Sequence, residues 1–284
     1  MIIKNQPSPH LPITPPPYHT GLTFLKLGGS LITNKEKPRT PRLEVLSRLA
    51  REIAAALAEN PALRLVLGHG AGSFAHVPAK KYATRQGVRT PEEWLGFAEV
   101  WWEAAALNRL VMDALRAAGL PAIALPPSAA VTARDGKVAA WNLGPLQAAL
   151  QAGLLPVVFG DVIFDTVRGG TILSTEDLFD HLARQLRPQR ILLAGLEAGV
   201  WADYPQCTRL IPEITPASFP EIAPALSGSN ATDVTGGMAS KVKQSLSLVE
   251  AIPGLEVVIF SGQVEGLVKA VLLGGKAGTA LHAE

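Results

Sequence analysis

The sequence contains little cysteine, and this limits the kinds of site that the protein can carry. Cys207 is the single cysteine among 284 residues. One thiol can form neither a disulfide framework within the chain nor a thiolate metal cluster, and such a composition suits a reducing compartment. We therefore expect a cytoplasmic protein.

The sequence also lacks an excess of charge of either sign. Its 26 basic and 24 acidic residues leave a formal net charge of +2 at pH 7, which gives no broad electrostatic surface for nucleic acid or an anionic membrane. No apolar stretch approaches the ~20 residues that a membrane span requires. We therefore expect neither nucleic acid nor a membrane as a partner, and any specificity for anions must come from local groups.

Apolar residues, by contrast, make up 48% of the chain, which is enough for a substantial core. Residues 1–20 differ from the rest because they include six prolines and lack the basic start and continuous apolar segment of a signal peptide. We expect them to form a disordered leader, with an extension of no function as the simpler alternative. Residues 21–284 are then expected to form one domain.

Six apolar runs rich in β-branched residues predict buried strands. They are residues 22–27, 63–67, 122–125, 154–159, 191–194 and 257–260. Their hydrophobicity is continuous rather than alternating, which indicates that both faces of each strand are covered. The sequence therefore predicts a mainly parallel sheet.

Helix starts alternate with these strands. The predicted starts are Thr40-Pro41, Thr90 with Glu93, Ser174 with Asp177, and Thr235. A hydroxyl side chain followed three residues later by an acid can satisfy the first free N–H groups of a helix. The alternation of strands and helices predicts an α/β fold, a three-layer αβα sandwich with a mainly parallel central sheet.

Most of the predicted strands run directly into glycine, serine or aspartate. These strand ends are Gly28-Gly29-Ser30, residues 68–73, Gly160-Asp161, Gly195 and Ser261-Gly262. Ligands of such sheets bind beyond the carboxyl ends of the strands. Several glycine turns along one edge favour a ligand longer than a single phosphate.

The loop from Gly68 to Ser73 has the character of an anion-binding turn, because glycines allow main-chain N–H groups to approach a ligand closely. A dinucleotide-binding turn is the alternative, although a lone Gly-x-Gly-x-Gly pattern is weak support for it. The Gly-Lys-Ser/Thr of a Walker A loop does not follow. His76 comes directly after the loop and, as imidazolium, could donate a charge-assisted hydrogen bond to phosphate.

Two lysines occupy positions that favour a bound anion. Lys26 interrupts an apolar strand, and Lys241 lies in the first two turns of a predicted helix, where a cation opposes the helix dipole. The carboxylates Asp161, Asp177 and Asp233 do not have the spacing of a dedicated metal cage. We therefore expect Mg²⁺ to be held largely by substrate phosphates.

Together these segments resemble the amino acid kinase superfamily, and within it the branch that phosphorylates isopentenyl phosphate. The resemblance covers the chain from about Leu22 to its C-terminus. The motifs that carry it are KLGGSLITNK, GAGSFAH, AGLEAGVWADYP followed by LIPEIT, and DVTGGMASKV. Two alanines, Ala71 and Ala75, stand where the family usually has glycine.

The resemblance implies a role for each matching residue. It implies catalytic roles for Lys26, Lys35 and His76. The residues implied in ATP binding are Lys26, Gly28, Gly29, Ser30, Gly72, Asp177, Gly199, Val200, Gly236 and Lys241. Those implied in binding the acceptor phosphate are Gly70, Ala71, His76 and Gly160. It further implies ATP and Mg²⁺ as cofactors, a homodimer, an acceptor-binding N-terminal part and an ATP-binding C-terminal part.

A prenyl acceptor would also need an apolar pocket, and the aromatic residues of the helix after Thr90 could supply it. Phe97 and Trp101 are the side chains that we expect to contact the prenyl tail, with simple core packing as the alternative. A phosphonate kinase acting on a compound such as fosfomycin would share the fold. A nucleotide-binding or anion-binding module without catalysis is the alternative from another class.

Overall fold

The computed structural model describes residues 21–226 and 237–284. The leader predicted for residues 1–20 lies outside the described residues, as do Asp233, Thr235 and Gly236.

A sheet of eight strands forms the centre of the fold. In spatial order its strands are β12 (Glu213–Ile214), β14 (Thr279–Leu281), β13 (Glu256–Ser261), β9 (Arg190–Gly195), β1 (Leu22–Leu27), β2 (Arg64–His69), β6 (Leu155–Phe159) and β3 (Ala122–Ala124). Neighbours pair in parallel except for β13 with β14. All six strands predicted from the sequence are confirmed in this sheet, with ends that shift by at most two residues. The expectation that both faces of each strand are covered does not hold for β3, because this edge strand is only partly buried and Ile123 is exposed.

Helices cover both faces of the sheet. The helices of the described residues are α1 (Gly29–Ile32), α2 (Leu43–Glu59), α3 (Gly72–Lys81), α4 (Pro91–Ala117), α5 (Gly144–Gln151), α6 (Thr175–Leu186), α7 (Phe219–Leu226), α8 (Gly237–Ala251) and α9 (Leu267–Leu272). Within this part of the chain, none combines the length and the apolar character needed to cross a bilayer.

Adjacent residues of β1 show how the layers form. Leu25 packs in a cluster with residues of α2, α4 and α9, whereas Phe24 packs in a second cluster with residues of α5, α6 and α8. Successive side chains of a strand point to opposite faces, so each face of the sheet has its own buried layer. The three-layer αβα sandwich is therefore confirmed.

Two of the predicted helix starts have the expected capping boxes. Thr90 begins α4 and Ser174 begins α6, each with its hydroxyl accepting from a main-chain N–H three residues later. The helix predicted from Thr40 begins later, at Leu43, because Pro41 forms a β-bridge with Thr33.

The structure contains a second sheet that the sequence did not predict. Its order is β5 (Lys137–Trp141), β4 (Val131–Arg134), β7 (Asp161–Asp165) and β8 (Gly169–Leu173). Several of its positions are exposed, so it lacks the continuous apolar runs of buried strands. It packs beside α4 and closes one end of the site described below. A short pair, β10 (Val200–Trp201) with β11 (Leu210–Ile211), lies near the other end.

Candidate active site

A cavity of about 430 Å³ opens at the carboxyl ends of the central strands. The sequence-predicted residues that line it are Lys26, Gly28, Gly29, Ser30, Lys35, Gly70, Ala71, Gly72, His76, Gly160, Gly199 and Lys241. Residues of β1, β9 and α8 and residues that directly follow β2 and β6 therefore meet in one cleft. Ligands of parallel sheets bind at this position, beyond the carboxyl ends of the strands.

The two glycine loops touch each other at the centre of this cleft. A Cβ added to Gly29 would lie 2.6 Å from the main-chain nitrogen of Gly72, and one added to Gly72 would lie 2.2 Å from the Thr33 hydroxyl oxygen. Gly72 also has a φ of +53°, a conformation that side chains disfavour. Both positions therefore require glycine. Ala71, by contrast, has an ordinary φ of −75°, so alanine fits the loop there without strain.

Lys26 is buried and forms an ion pair with Glu176 on α6. Burial alone would raise the pKa of Glu176, but the positive charges of Lys26 and Lys241 more than offset burial, so this pKa is lowered. The carboxylate is therefore ionised and lies between two cationic side chains of the cleft. Sequence reasoning missed Glu176, although its place beside Ser174 at a predicted helix start was a usable signal.

The loop that carries Lys35 is held from several sides. Thr33 bridges to Pro41 at the base of the loop, and the N–H of Arg39 donates to the Ser73 carbonyl oxygen at 3.1 Å. The Arg39 guanidinium donates to Glu103 on α4 at 2.7 Å. These contacts fix the loop against α3 and α4, and they position Lys35 at the wall of the cavity.

The end of the cavity beyond His76 is apolar. Its walls include Ala75, Ala79, Val100 and Ile172. Phe97 lies in the same buried cluster as Ala75 and Val100.

The expectation that Phe97 and Trp101 contact the acceptor tail is not met by the geometry. Neither side chain lines the cavity. Phe97 is buried behind the wall and packs on Trp94 and Phe164, while Trp101 is 42% exposed on the outer face of α4. Val100, which lies between these two aromatic residues in the sequence, instead faces the cavity.

Asp161 lies at the start of β7, on the same side of the cavity. Its carboxylate accepts hydrogen bonds from the N–H groups of Ser128 and Val162, at 3.1 and 2.8 Å. Burial raises the pKa of Asp161 to about 6. The nearby ring of His69 is fully buried between Asn108 and the Gly70 carbonyl, and burial lowers the pKa of His69.

The opposite end of the cavity carries aromatic side chains. Trp201 and Tyr204 line it together with Glu197, whose carboxylate accepts a hydrogen bond from the Trp201 indole N–H at 2.9 Å. Val200 lies buried directly behind this wall. Asp177, which the resemblance implies in ATP binding, does not line the cavity; it belongs to the capping box of α6, and its carboxylate accepts a hydrogen bond from Arg85. Gly236 falls outside the described residues.

In the described ranges, no group of three or more His, Cys, Asp or Glu side chains has the geometry to hold a metal ion. The cleft is lined by several cationic side chains and two glycine loops, and these groups fit negatively charged ligands such as phosphates. Together with the parallel sheet, it defines a nucleotide-dependent phosphotransferase site.

The sequence matches the model of the amino acid kinase family over residues 21–261, and the chain belongs to this family. It is 35% identical over 264 residues to isopentenyl phosphate kinase of Methanothermobacter thermautotrophicus, which covers 89% of this chain and 96% of that protein. It is 37% identical over 265 residues to the isopentenyl phosphate kinase of Haloferax volcanii, covering 93% and 99% of the two proteins. An X-ray structure of isopentenyl phosphate kinase matches with a TM-score of 0.76 and 30% identity, over 92% of this chain and 99% of that chain.

Proposed function

We propose that this protein transfers the γ-phosphate of ATP to isopentenyl phosphate, giving the isoprenoid precursor isopentenyl diphosphate and ADP. The observation that carries the proposal is an apolar chamber beside a glycine loop and a histidine, at one end of a cationic cleft. The names of the curated relatives support the same activity.

The chamber suits a short hydrocarbon tail. Burial of five carbons contributes roughly 3–4 kcal/mol at ~0.8 kcal/mol per CH₂. A small polar phosphonate such as fosfomycin would gain little from walls made of Ala75, Ala79, Val100 and Ile172. The apolar lining therefore favours a prenyl phosphate over the phosphonate alternative.

The reaction does not need a strong general base. A phosphate monoester has a second pKa of about 6, so the acceptor phosphate is largely dianionic at neutral pH. One of its oxygens can therefore act as the nucleophile without a general base. This oxygen attacks the γ-phosphorus of ATP, the bond to the bridging oxygen breaks, and ADP leaves with that oxygen. The main obstacle is repulsion between two anions, which positioned cations reduce.

We propose that the cleft residues divide this task. Lys26 and Lys241 bind the ATP phosphates from opposite sides, and Lys35 stabilises the charge of the transferred phosphoryl group. His76 binds the acceptor phosphate. The glycine-loop positions complete the two phosphate sites, with Gly28, Gly29, Ser30 and Gly72 on the ATP side and Gly70, Ala71 and Gly160 on the acceptor side.

We further propose that Mg²⁺ binds through the ATP phosphates, where it would neutralise part of their charge. Dimerisation is proposed on the basis of the family, and the exposed apolar side chains Trp94, Leu95, Trp101 and Trp102 on α4 support it. A cytoplasmic location is consistent with the low cysteine content.

A coupled ADP-release assay tests the function. The acceptors are isopentenyl phosphate, dimethylallyl phosphate, fosfomycin, UMP and glutamate, each with ATP and Mg²⁺. We expect the highest kcat/KM with isopentenyl phosphate. A preference for fosfomycin would indicate a phosphonate kinase, and ATP binding without ADP release would indicate a non-catalytic module.

The proposed role of His76 has its own test. His76→Ala removes a hydrogen-bond donor from the acceptor phosphate, so we expect a higher KM for isopentenyl phosphate with a nearly unchanged KM for ATP. His282→Ala is the matched control, because His282 pairs with Glu213 at the edge of the large sheet. Unchanged acceptor kinetics in His76→Ala would remove this histidine from the site.

A further inference from the structure

Arg85 lines the cavity, but the resemblance to the family implies no role for it. It lies in the connection between α3 and α4. Its guanidinium donates a hydrogen bond to the Oδ2 atom of Asp177 at 3.0 Å. The same Oδ2 atom accepts from the main-chain N–H and the hydroxyl of Ser174, both at 2.8 Å.

This ion pair lies next to the site proposed for the acceptor phosphate. A Cβ added to Gly160 would lie 3.6 Å from the Cα atom of Ser174. Ser174 itself lines the cavity. Ser174 is therefore hydrogen-bonded to the Asp177 carboxylate and lies next to Gly160, the glycine proposed to contact the acceptor phosphate. The Arg85 guanidinium, which is hydrogen-bonded to the same carboxylate, lies close to that site.

The main chain of Arg85 is fixed, whereas its side chain can reorient. The Arg85 carbonyl oxygen accepts hydrogen bonds from the Thr171 hydroxyl at 3.0 Å and from the Arg168 guanidinium at 3.2 Å. The Arg85 side chain is 41% exposed. A change of side-chain rotamer would therefore leave the connection between α3 and α4 in place.

Replacement of Asp177 by a phosphate group as the partner of Arg85 costs little free energy. Partly exposed ion pairs are weak, whereas a guanidinium binds phosphate through two parallel charge-assisted hydrogen bonds. Asp177 keeps its two hydrogen bonds from Ser174 when Arg85 leaves. The carboxylate is therefore not left without donors.

The charges that line the cavity explain why such an exchange would favour binding of the acceptor. The lysine, arginine, aspartate and glutamate side chains that line it are Lys26, Lys35, Arg85 and Lys241, with Asp161, Glu176 and Glu197. The acidic side chains offset much of the positive charge of the cavity. Two negatively charged phosphate compounds must nevertheless bind there at the same time. A guanidinium that moves from a protein carboxylate to a substrate phosphate adds positive charge where the second anion enters.

We propose that Arg85 binds the phosphate group of the acceptor, and that in the absence of the acceptor its charge is held by Asp177. This inference rests on the proposed function, since it names a further residue that recognises the same acceptor. It makes Arg85 a contact of the acceptor phosphate in addition to His76.

The test compares Arg85→Ala and Arg85→Lys with the matched control Arg89→Ala. Arg89 belongs to the same connection, but it is exposed and does not line the cavity. Steady-state ADP release is measured with isopentenyl phosphate varied at saturating ATP, and with ATP varied at saturating acceptor. Melting temperatures are recorded for each variant.

In Arg85→Ala we expect the acceptor KM to rise about 10- to 100-fold, because a charge-assisted contact is lost. The ATP KM should stay within about twofold, since ATP binds at the other end. Millimolar guanidinium chloride should lower the acceptor KM of Arg85→Ala without affecting Arg89→Ala. Arg85→Lys should lie between the wild type and the alanine variant.

Two results would overturn the inference. One is an acceptor KM within about threefold of the wild-type value. The other is a parallel rise of both KM values together with a fall in melting temperature and no rescue by guanidinium, which would make Arg85 purely structural. If Arg85→Ala does not fold, Arg85→Lys provides the same KM comparison. A wild-type protein that releases no ADP with isopentenyl phosphate would instead refute the proposed function itself.

Discussion

The ion pair between Lys26 and Glu176 gives a prediction that follows directly from burial. The side chains of Lys26 and Glu176 are only 10% and 14% exposed. Glu176→Gln keeps the shape of the side chain and removes its charge. The ammonium group of Lys26 then remains in the cleft without its carboxylate partner.

The size of the effect follows from the cost of an unpaired buried charge. Removal of one partner of a buried ion pair costs about 3–5 kcal/mol, and the lower value applies here because the cleft is open to water. A loss of about 3 kcal/mol lowers the melting temperature of a domain of this size by about 6–12 °C. We therefore expect a markedly less stable protein in the absence of ligand.

ATP should reverse much of this loss. If Lys26 contacts the ATP phosphates, a phosphate supplies the negative charge that Glu176→Gln lacks. We therefore expect Mg²⁺ and ATP to raise the melting temperature of Glu176→Gln more than that of the wild type. Thermal unfolding followed by circular dichroism, with and without the nucleotide, measures both quantities.

Glu256→Gln is the matched control for this experiment. Glu256 pairs with Arg190 at 2.8 Å, but its side chain is 40% exposed and lies away from the cavity. We expect this change to cost less than about 1 kcal/mol and to leave the ATP response unaltered. Equal losses of stability in the two variants, or a smaller stabilisation of Glu176→Gln than of the wild type by ATP, would show that Lys26 does not depend on Glu176 in this way.

Three further predictions concern other parts of the cleft. Lys35→Ala should lower kcat by about 100-fold or more with little change in either KM, since it removes charge stabilisation made mainly in the transition state; a variant as fast as the wild type would contradict this. Gly72→Ala should destabilise the protein by about 1–3 kcal/mol in urea unfolding, because the residue has a positive φ and its Cβ would meet Thr33; Gly119→Ala, with positive φ and open space, is the control for φ alone. Burial raises the pKa of Asp161 from 3.8 to about 6, so the stability contributed by its protonated carboxyl group is fully present below about pH 3.8 and is lost as pH rises through about 6. The unfolding free energy of the wild type relative to Asp161→Asn should therefore fall by roughly 3 kcal/mol between about pH 3 and about pH 7. A difference that does not change with pH would contradict the raised pKa of Asp161.

Five strands of the central sheet, β1, β2, β6, β9 and β13, were predictable because they are buried on both faces almost throughout. β12 and β14 were not predicted, because they span only two and three residues. A run such as residues 22–27 is apolar almost throughout, and burial of both faces leaves few other solutions for such a run. The capping boxes at Thr90 and Ser174 were predictable for a local reason, since their partners lie three residues away. These features depend on short segments of sequence, and the structure confirms them.

The features that were missed depend on contacts distant in sequence. Glu176 meets Lys26 across 150 positions, and Arg85 meets Asp177 across 92. No local pattern reports such a pair. The second sheet was missed because each of its strands spans only four or five residues. β4 alternates between buried and exposed positions and β5 is largely exposed, while β7 is bounded by aspartates and β8 begins with two glycines. Trp101 was misplaced because composition does not show which side of α4 faces the cavity.

The first turn of α6 explains how a cleft for two anions can fold without them. Glu176 pairs with Lys26 and Asp177 pairs with Arg85, so neighbouring acids at one helix start hold cations on two sides of the cleft. The positive end of the helix dipole stabilises both carboxylates at that position. The two pairs differ in burial, because the Lys26 pair is enclosed whereas the Arg85 pair is partly exposed. Substrate phosphates can therefore displace Asp177 from Arg85 at low cost, while Glu176 remains between Lys26 and Lys241 and fixes the site proposed for ATP.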